Sequence, residues 1–211
     1  MYGNVVVESH KVLLRAEAQK LATILKDELA QSSQFVSQPD ASVTDSNQPA
    51  NGWSFNAAMH ILIARGPAYT APTSAAKTEI IRREPLCTDP AHLYQIYFLE
   101  DSSDSSFKNL YRRNLVPAES TLCQPPLATT TCPSHAVNQL CPQDMVLSKN
   151  ITDFSIEYLD DTGNTMDVYA LQPLASPESA HAVRLRITIG ETAYGKPIKE
   201  TTTLLVERHG R

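Results

Sequence analysis

Apolar residues at Val7, Leu14, Ala18, Leu21, Leu25 and Leu29 recur at steps of three, four and seven, the spacing of one stripe along an α-helix. Glu8, Lys11, Arg15, Glu17, Lys20 and Lys26 fill the other side. No glycine or proline interrupts the chain between Asn4 and Gln38, so the pattern predicts a single helix over 4–33. At 1.5 Å per residue it would be about 45 Å long, which is long for a small domain. Two readings follow: an ordinary core helix, or the distal half of a longer helix whose front end is missing.

After the helix the period changes. Residues 37–52 are rich in Pro, Ser, Asp and Asn and read as a loop. The apolar run 53–64 and the short 78–83 (TEIIRR) read as strands, with a loop at 66–76 between them. Tyr94, Ile96 and Phe98 alternate with their neighbours, and a polar tip at 101–106 leads to Phe107, Leu110 and Tyr111, which predicts a hairpin. Residues 151–159 alternate again and end in Asp160-Asp161-Thr162-Gly163-Asn164, a turn in which Gly163 is free to take positive φ. Residues 166–171 are a candidate return strand. Val183, Leu185, Ile187 and Ile189 alternate with Arg184, Arg186 and Thr188 in the cleanest half-buried strand of the chain. A turn at 190–197 and a last strand over 198–207 complete the pattern. The expected class is α+β: one long N-terminal amphipathic helix packed on antiparallel sheet. The expected organisation is one domain over 1–211. Within it lie a helical spine at 4–33, a β-rich head at 53–115 and 144–211, and a Cys/Pro-rich insertion at 116–143.

Composition agrees with a globular chain and narrows its partners. Of 211 residues 42% are hydrophobic and 19% charged, outside the range of disordered chains. The net charge is −5 and no Lys/Arg run stands out, so no nucleic-acid partner is expected. Fourteen prolines against seven glycines point to stiff, extended loops. Cys87, Cys123, Cys132 and Cys141 fit no zinc-ligand spacing, and His92 and His135 do not complete one. An even count in loop-rich sequence favours two disulfides and an oxidising compartment. A hairpin tip near residues 103 and 104 places residues opposite when their numbers sum to about 207, since register is constant along a ladder. That favours Cys87–Cys123 and leaves Cys132–Cys141, with the other two connectivities open. No apolar run approaches the length of a membrane span, and no signal peptide is visible. For an exported protein this suggests a truncated or processed form, with Met1 an added start.

The chemistry-bearing residues form no reactive set. The six histidines are scattered without H-E-x-x-H spacing, no serine lies in G-x-S-x-G, and no glycine-rich phosphate loop occurs. No enzyme activity and no cofactor are expected. Two acidic turns could offer oxygen ligands to calcium: Glu100-Asp101-Ser102-Ser103-Asp104, and Asp160, Asp161 and Asn164 with Asp167. Calcium takes about six to eight oxygens, more than one such turn supplies, so they read as hairpin turns and no metal is assigned. Asn150-Ile151-Thr152 matches a glycosylation sequon, a pattern that matters only if the source glycosylates such sites and is irrelevant if the source is bacterial.

The order of LYQIYFLED, KNLYRRN, ITDFSIEYLDDTGN, HAVRLRITIG and ETTTLLVERH behind a long helix resembles the minor pilins and pseudopilins of type IV pili and type II secretion systems. The W-type minor pilins and J-type pseudopilins are the most similar in wording. The resemblance covers 4–33 and 93–208. The prepilin junction, a glycine followed by Phe-Thr-Leu-x-Glu, and the apolar membrane segment after it are absent. The resemblance implies a pilin-like fold and a structural subunit that assembles through its helix, at or near a filament tip. Its partners would be other pilin or pseudopilin subunits, with a surface or cargo ligand at the head. Its location would be extracytoplasmic, at the cell surface or pilus, membrane-anchored before assembly through the missing N-terminal segment. The first turns of so long a helix are expected to outrun the sheet. Val7 and Leu14 are therefore the candidate assembly face, expected to be more exposed than Leu21 or Leu25. The alternative is an extracytoplasmic adhesion or ligand-binding module that forms no filament. An ordinary cleaved signal peptide in the parent reading frame would favour it over a pilin-type leader.

Overall fold

A computed structural model describes residues 2–41, 43, 45, 48–49, 52–55, 61–67, 92–102, 106–115, 144–169, 175–193 and 195–208. The apolar stripe forms α1 (Tyr2–Ala30), whose Leu14, Ala18, Leu21, Leu25 and Leu29 are buried in the main core cluster. The helix stops three residues before the expected end. Gln31 and Ser32 close short turns onto Glu28 and Leu29, and the Ser33 N–H donates to the Arg65 carbonyl instead of continuing the helical ladder. From there the chain enters a sheet.

Seven strands follow: β1 (Gln34–Phe35), β2 (Leu62–Pro67), β3 (His92–Asp101), β4 (Lys108–Leu115), β5 (Met145–Leu159), β6 (Ala182–Ala193) and β7 (Lys196–Glu207). They lie side by side in chain order, each antiparallel to the next. The expected α+β, pilin-like class is therefore corrected. Among the described residues strands make up 51% and helix 21%, and one helix accompanies one seven-stranded antiparallel sheet in a mostly-β fold. Every strand extends the same ladder, so the sheet is the frame, and α1 is an addition on one face, over β5, β6 and β7.

Several boundaries also move. The strand expected from residue 53 begins at Leu62, and Trp53 and Phe55 lie outside it. Residues 78–83 fall outside the described residues. Of the candidate return strand at 166–171, residues 166–169 form no strand and 170–171 lie outside the described residues; an isolated bridge joins Leu159 to Thr165 just before it. Gly163 does take positive φ, at 84°. The turn expected at 190–197 shrinks to two residues, because β6 runs on through Gly190 to Ala193. A Cβ at Gly190 would lie 2.9 Å from Thr152 Cγ2 and 3.2 Å from the Ile198 carbonyl oxygen. Only glycine fits the strand there. In the β3–β4 hairpin Asp101 faces Lys108 and Tyr94 faces Leu115, so the register sum is two higher than expected.

Both faces of the sheet carry core. On the face toward α1, Leu62, Tyr97, Leu110, Phe154, Tyr158, Val183, Leu185, Ile187, Leu204 and Val206 join the helix stripe. On the other face, Ile63, Tyr94, Ile96, Phe98, Tyr111 and Leu115 are covered by Val36 and Trp53 from the segment after β1. The outer face of β5–β7 stays polar, with Glu157–Arg184 and Asp153–Arg186 paired across strands.

Candidate functional site

The outer side of α1 offers the first candidate surface. Val7, half-buried, and Leu14, 4% accessible, are more exposed than Leu21 at 1% and Leu25 at 0%, the order expected, but Leu14 is itself buried in the core. Leu14 is covered because the sheet reaches further than the sequence suggested. β6 and β7 have 12 residues each, about 40 Å at 3.3–3.4 Å per residue, close to the length of α1 itself. The tip of this hairpin returns to the first turns of the helix, where Glu191 meets His10 and Glu200 accepts from Arg15 at 3.3 Å. Ser148 on β5 donates to Glu17 at 2.9 Å on the other flank. The helix is thus tied to the sheet at His10, Arg15 and Glu17, and its stripe from Leu14 to Leu29 is buried inside the molecule.

What remains outside is a different set. Val12 and Leu13 are 64% and 67% exposed, with exposed Ser9 and Ala16 one turn away on either side. Lys11, Glu8 and Arg15 border them, and Lys11 donates to Glu8 at 2.9 Å. The result is a small apolar patch between small and charged neighbours. Val12 and Leu13 stand off the stripe, so a search for period 3.6 passes over them. The signal that could have found them is the run Val12-Leu13-Leu14, whose members cannot all face inward.

At the far end of the helix, Glu28 accepts from Tyr97 Oη at 3.0 Å and from Arg112 Nη1. Burial raises its carboxyl above the usual range, and the bonds from Arg112 and Tyr97 only partly offset this. This contact anchors the helix end over β3 and β4.

The opposite face of the sheet carries a buried ionic node. The Arg113 side chain is 2% exposed, between Asp45 at 1% and Asp144 at 0%. Its Nε donates to Asp144 Oδ1 at 2.7 Å, its Nη2 to Asp144 Oδ2, and its Nη1 to Asp45 Oδ2 at 2.9 Å. The guanidinium lies 5.1 Å from the Trp53 ring and 5.5 Å from the Phe98 ring. Trp53 Nε1 donates to Asp45 at 2.6 Å. Burial would favour losing the proton, but the bonds to Asp144 and Asp45 outweigh it and push the guanidinium pKa up, so the charge is held. Asp45 and Trp53 close the segment after β1 onto β4, and Asp144 ties the residue before β5 to the same guanidinium.

The acidic turns make their polar contacts locally. Asp160 Oδ1 accepts from Thr162 Oγ1 at 2.7 Å, the Asn164 N–H at 2.8 Å and the Thr162 N–H at 2.9 Å. The Thr162 hydroxyl and the Asn164 and Thr162 amides hold its carboxyl below the usual range. The Asn164 side-chain amide donates to Thr162 Oγ1 at 2.7 Å. Two of the four candidate calcium ligands are thus engaged within their own turn, and Asp161 and Asp167 are exposed beside it. Among the described residues no group of three His, Cys, Asp or Glu could hold a metal ion. In the other turn, Asp101 pairs with Lys108 at 3.4 Å, and burial together with Asp101 raises the Glu100 carboxyl. Asp104, the insertion at 116–143 and all of Cys87, Cys123, Cys132 and Cys141 lie outside the described residues. Among the described residues no helix is long and apolar enough to cross a membrane.

No family model, curated protein or solved structure matches the chain.

Proposed function

We propose that this chain is a structural subunit of an extracytoplasmic filament of the type IV pilus or type II secretion kind, a minor pilin or pseudopilin. The observation that carries the reading is the division of labour on α1. Its inner stripe is consumed by the chain's own sheet, yet Val12 and Leu13 remain exposed among small residues on the outer side. Helices pack closely where small side chains flank an apolar ridge, and Ser9 and Ala16 supply such flanks. Burying both side chains contributes about 1.5–3 kcal/mol each. Bringing two molecules together costs an estimated 4–15 kcal/mol. One such contact alone does not hold a pair. Repeated contacts along an array do, because each subunit touches several others. The mostly-β body then forms the head, and the helix is the handle by which other pilin subunits hold it. No bond is made or broken.

The test uses the chain expressed in its own cell with Val12→Glu and Leu13→Glu combined. The variant should fold and melt like the wild type, because both positions are exposed, and should disappear from sheared surface filaments. Undiminished incorporation would refute this face as the contact. A wild-type chain that is exported but never enters filaments would favour the non-filamentous adhesion module.

A further inference from the structure

The two edges of the sheet are unlike. β1 has two residues, whereas β7 has 12 and, among the described residues, no strand on its outer side. Pro197 stands opposite Thr192 and has no N–H to give, so that position is a non-hydrogen-bonded one. The β6–β7 register is unbroken from Ala182↔Glu207 to Ala193↔Lys196, so the same holds at every second residue. The backbone N–H and C=O groups of Lys199, Thr201, Thr203, Leu205 and Glu207 therefore turn away from β6. Their side chains share the exposed outer face, Leu205 at 48%, while Ile198, Leu204 and Val206 are buried toward α1. Natural edges are usually blunted by bulges, mid-strand charges or short length. β7 has none of these between Thr201 and Val206, a run of Thr, Leu and Val without charge.

We propose that the β7 edge pairs with β7 of a second copy of this chain, antiparallel, about a two-fold axis at Thr203. Charge complementarity selects this occupant. With Thr203 opposite itself, Lys199 of each copy faces Glu207 of the other, and the symmetry makes this pair twice. Thr201 then faces Leu205, and the outward backbone groups of Thr203 exchange both hydrogen bonds with their counterparts. Shifting the axis by one or two residues separates the opposite charges. The closed two-fold uses one patch on both copies and joins two seven-stranded sheets into one. This interface is on the sheet edge and does not depend on the filament reading.

Sedimentation equilibrium of the purified chain tests it. A reversible dimer is expected. Lys199→Glu alone, or Glu207→Lys alone, sets like charges opposite one another twice and should weaken association roughly tenfold or more. The double exchange, Lys199→Glu with Glu207→Lys, should restore it. Thr203→Pro removes an outward donor without touching the β6 ladder and should abolish the dimer while circular dichroism stays unchanged. A chain that is monomeric at the highest concentration overturns the proposal. So does a dimer indifferent to the charge exchanges, or single losses that the double exchange does not repair. If Thr203→Pro fails to fold, the charge-exchange series decides alone.

Discussion

Arg113→Met should be among the most damaging single substitutions in this chain. The side chain is nearly the right volume and as apolar as its aromatic neighbours, so the perturbation is the loss of charge. Asp45 and Asp144, at 1% and 0% side-chain exposure, would be left buried without their cation. Removing one partner of a buried ion pair costs about 3–5 kcal/mol. The guanidinium's stacking on Trp53 and Phe98 is lost as well. Against a total stability of about 5–15 kcal/mol for a single domain, this is a large fraction. Arg113→Lys should fall in between, since the ammonium keeps the charge but not the fork that serves Asp144 with two bonds. Arg113→Met combined with Asp45→Asn and Asp144→Asn should be milder than Arg113→Met alone, because no bare carboxylate remains. Urea unfolding is the assay, since urea leaves ionic strength unchanged. Trp53, the single tryptophan, reports the node by fluorescence, and circular dichroism reports the sheet. A loss below about 1 kcal/mol for Arg113→Met, or a triple variant as unstable as the single one, would refute the argument that uncompensated charge sets the cost.

Two further outcomes are expected. Burial raises the phenol pKa of Tyr94, Tyr158 and Tyr169, with Tyr169 pushed up to about 12, so folding favours their neutral form. Their contribution is complete below the unfolded value near 10 and is lost as pH rises above it. An absorbance titration should show a late-ionising set of tyrosines that waits until the sheet unfolds; ionisation of Tyr94, Tyr158 and Tyr169 near 10 in a still-folded chain contradicts this. For the cysteines, which lie outside the described residues, a β3–β4 ladder continued in the same register would bring Cys87 opposite the neighbour of Cys123, so non-reducing peptide mapping should recover a Cys87–Cys123 peptide. A Cys123–Cys132 peptide or four alkylatable thiols in the native protein defeats that register argument.

How far the sequence could be read depended on the range of each signal. The α1 stripe and the β6 alternation are local, and both elements lie where their periods put them. The inward residues Leu21, Leu25 and Leu29 and the strand residues Val183, Leu185 and Ile187 share one core. Strand length was less legible. β5 starts at Met145, six residues ahead of the clear alternation, because register shifts at Lys108/Leu110 and Leu110/Tyr111 on one side, and at Ile151/Asp153 on the other, scramble the period. The class was misjudged for a related reason. Periodicity counts elements but does not say that every strand joins the same ladder, and that joining makes the fold mostly β.

The node and the outer patch show two different limits. Arg113 lies in Tyr-Arg-Arg, which reads as the polar side of a hairpin, and Asp45 lies in a loop of Ser, Asp, Asn and Pro. Nothing within 60 residues of either announces the other, and only the fold brings them to 2.9 Å. The patch is the opposite case, since its signal is local. An inward stripe is about 100° wide, whereas three consecutive residues of a helix sweep about 200°. In Val12-Leu13-Leu14 at most one residue can sit on the stripe's axis. Leu14 sits there because Ala18, Leu21 and Leu25 continue from it at the right spacing. Val12 and Leu13 must then face outward, whatever covers the stripe. Had that arithmetic been applied to the triplet, Val12 and Leu13 would have been assigned to the surface, and Leu14 to the core.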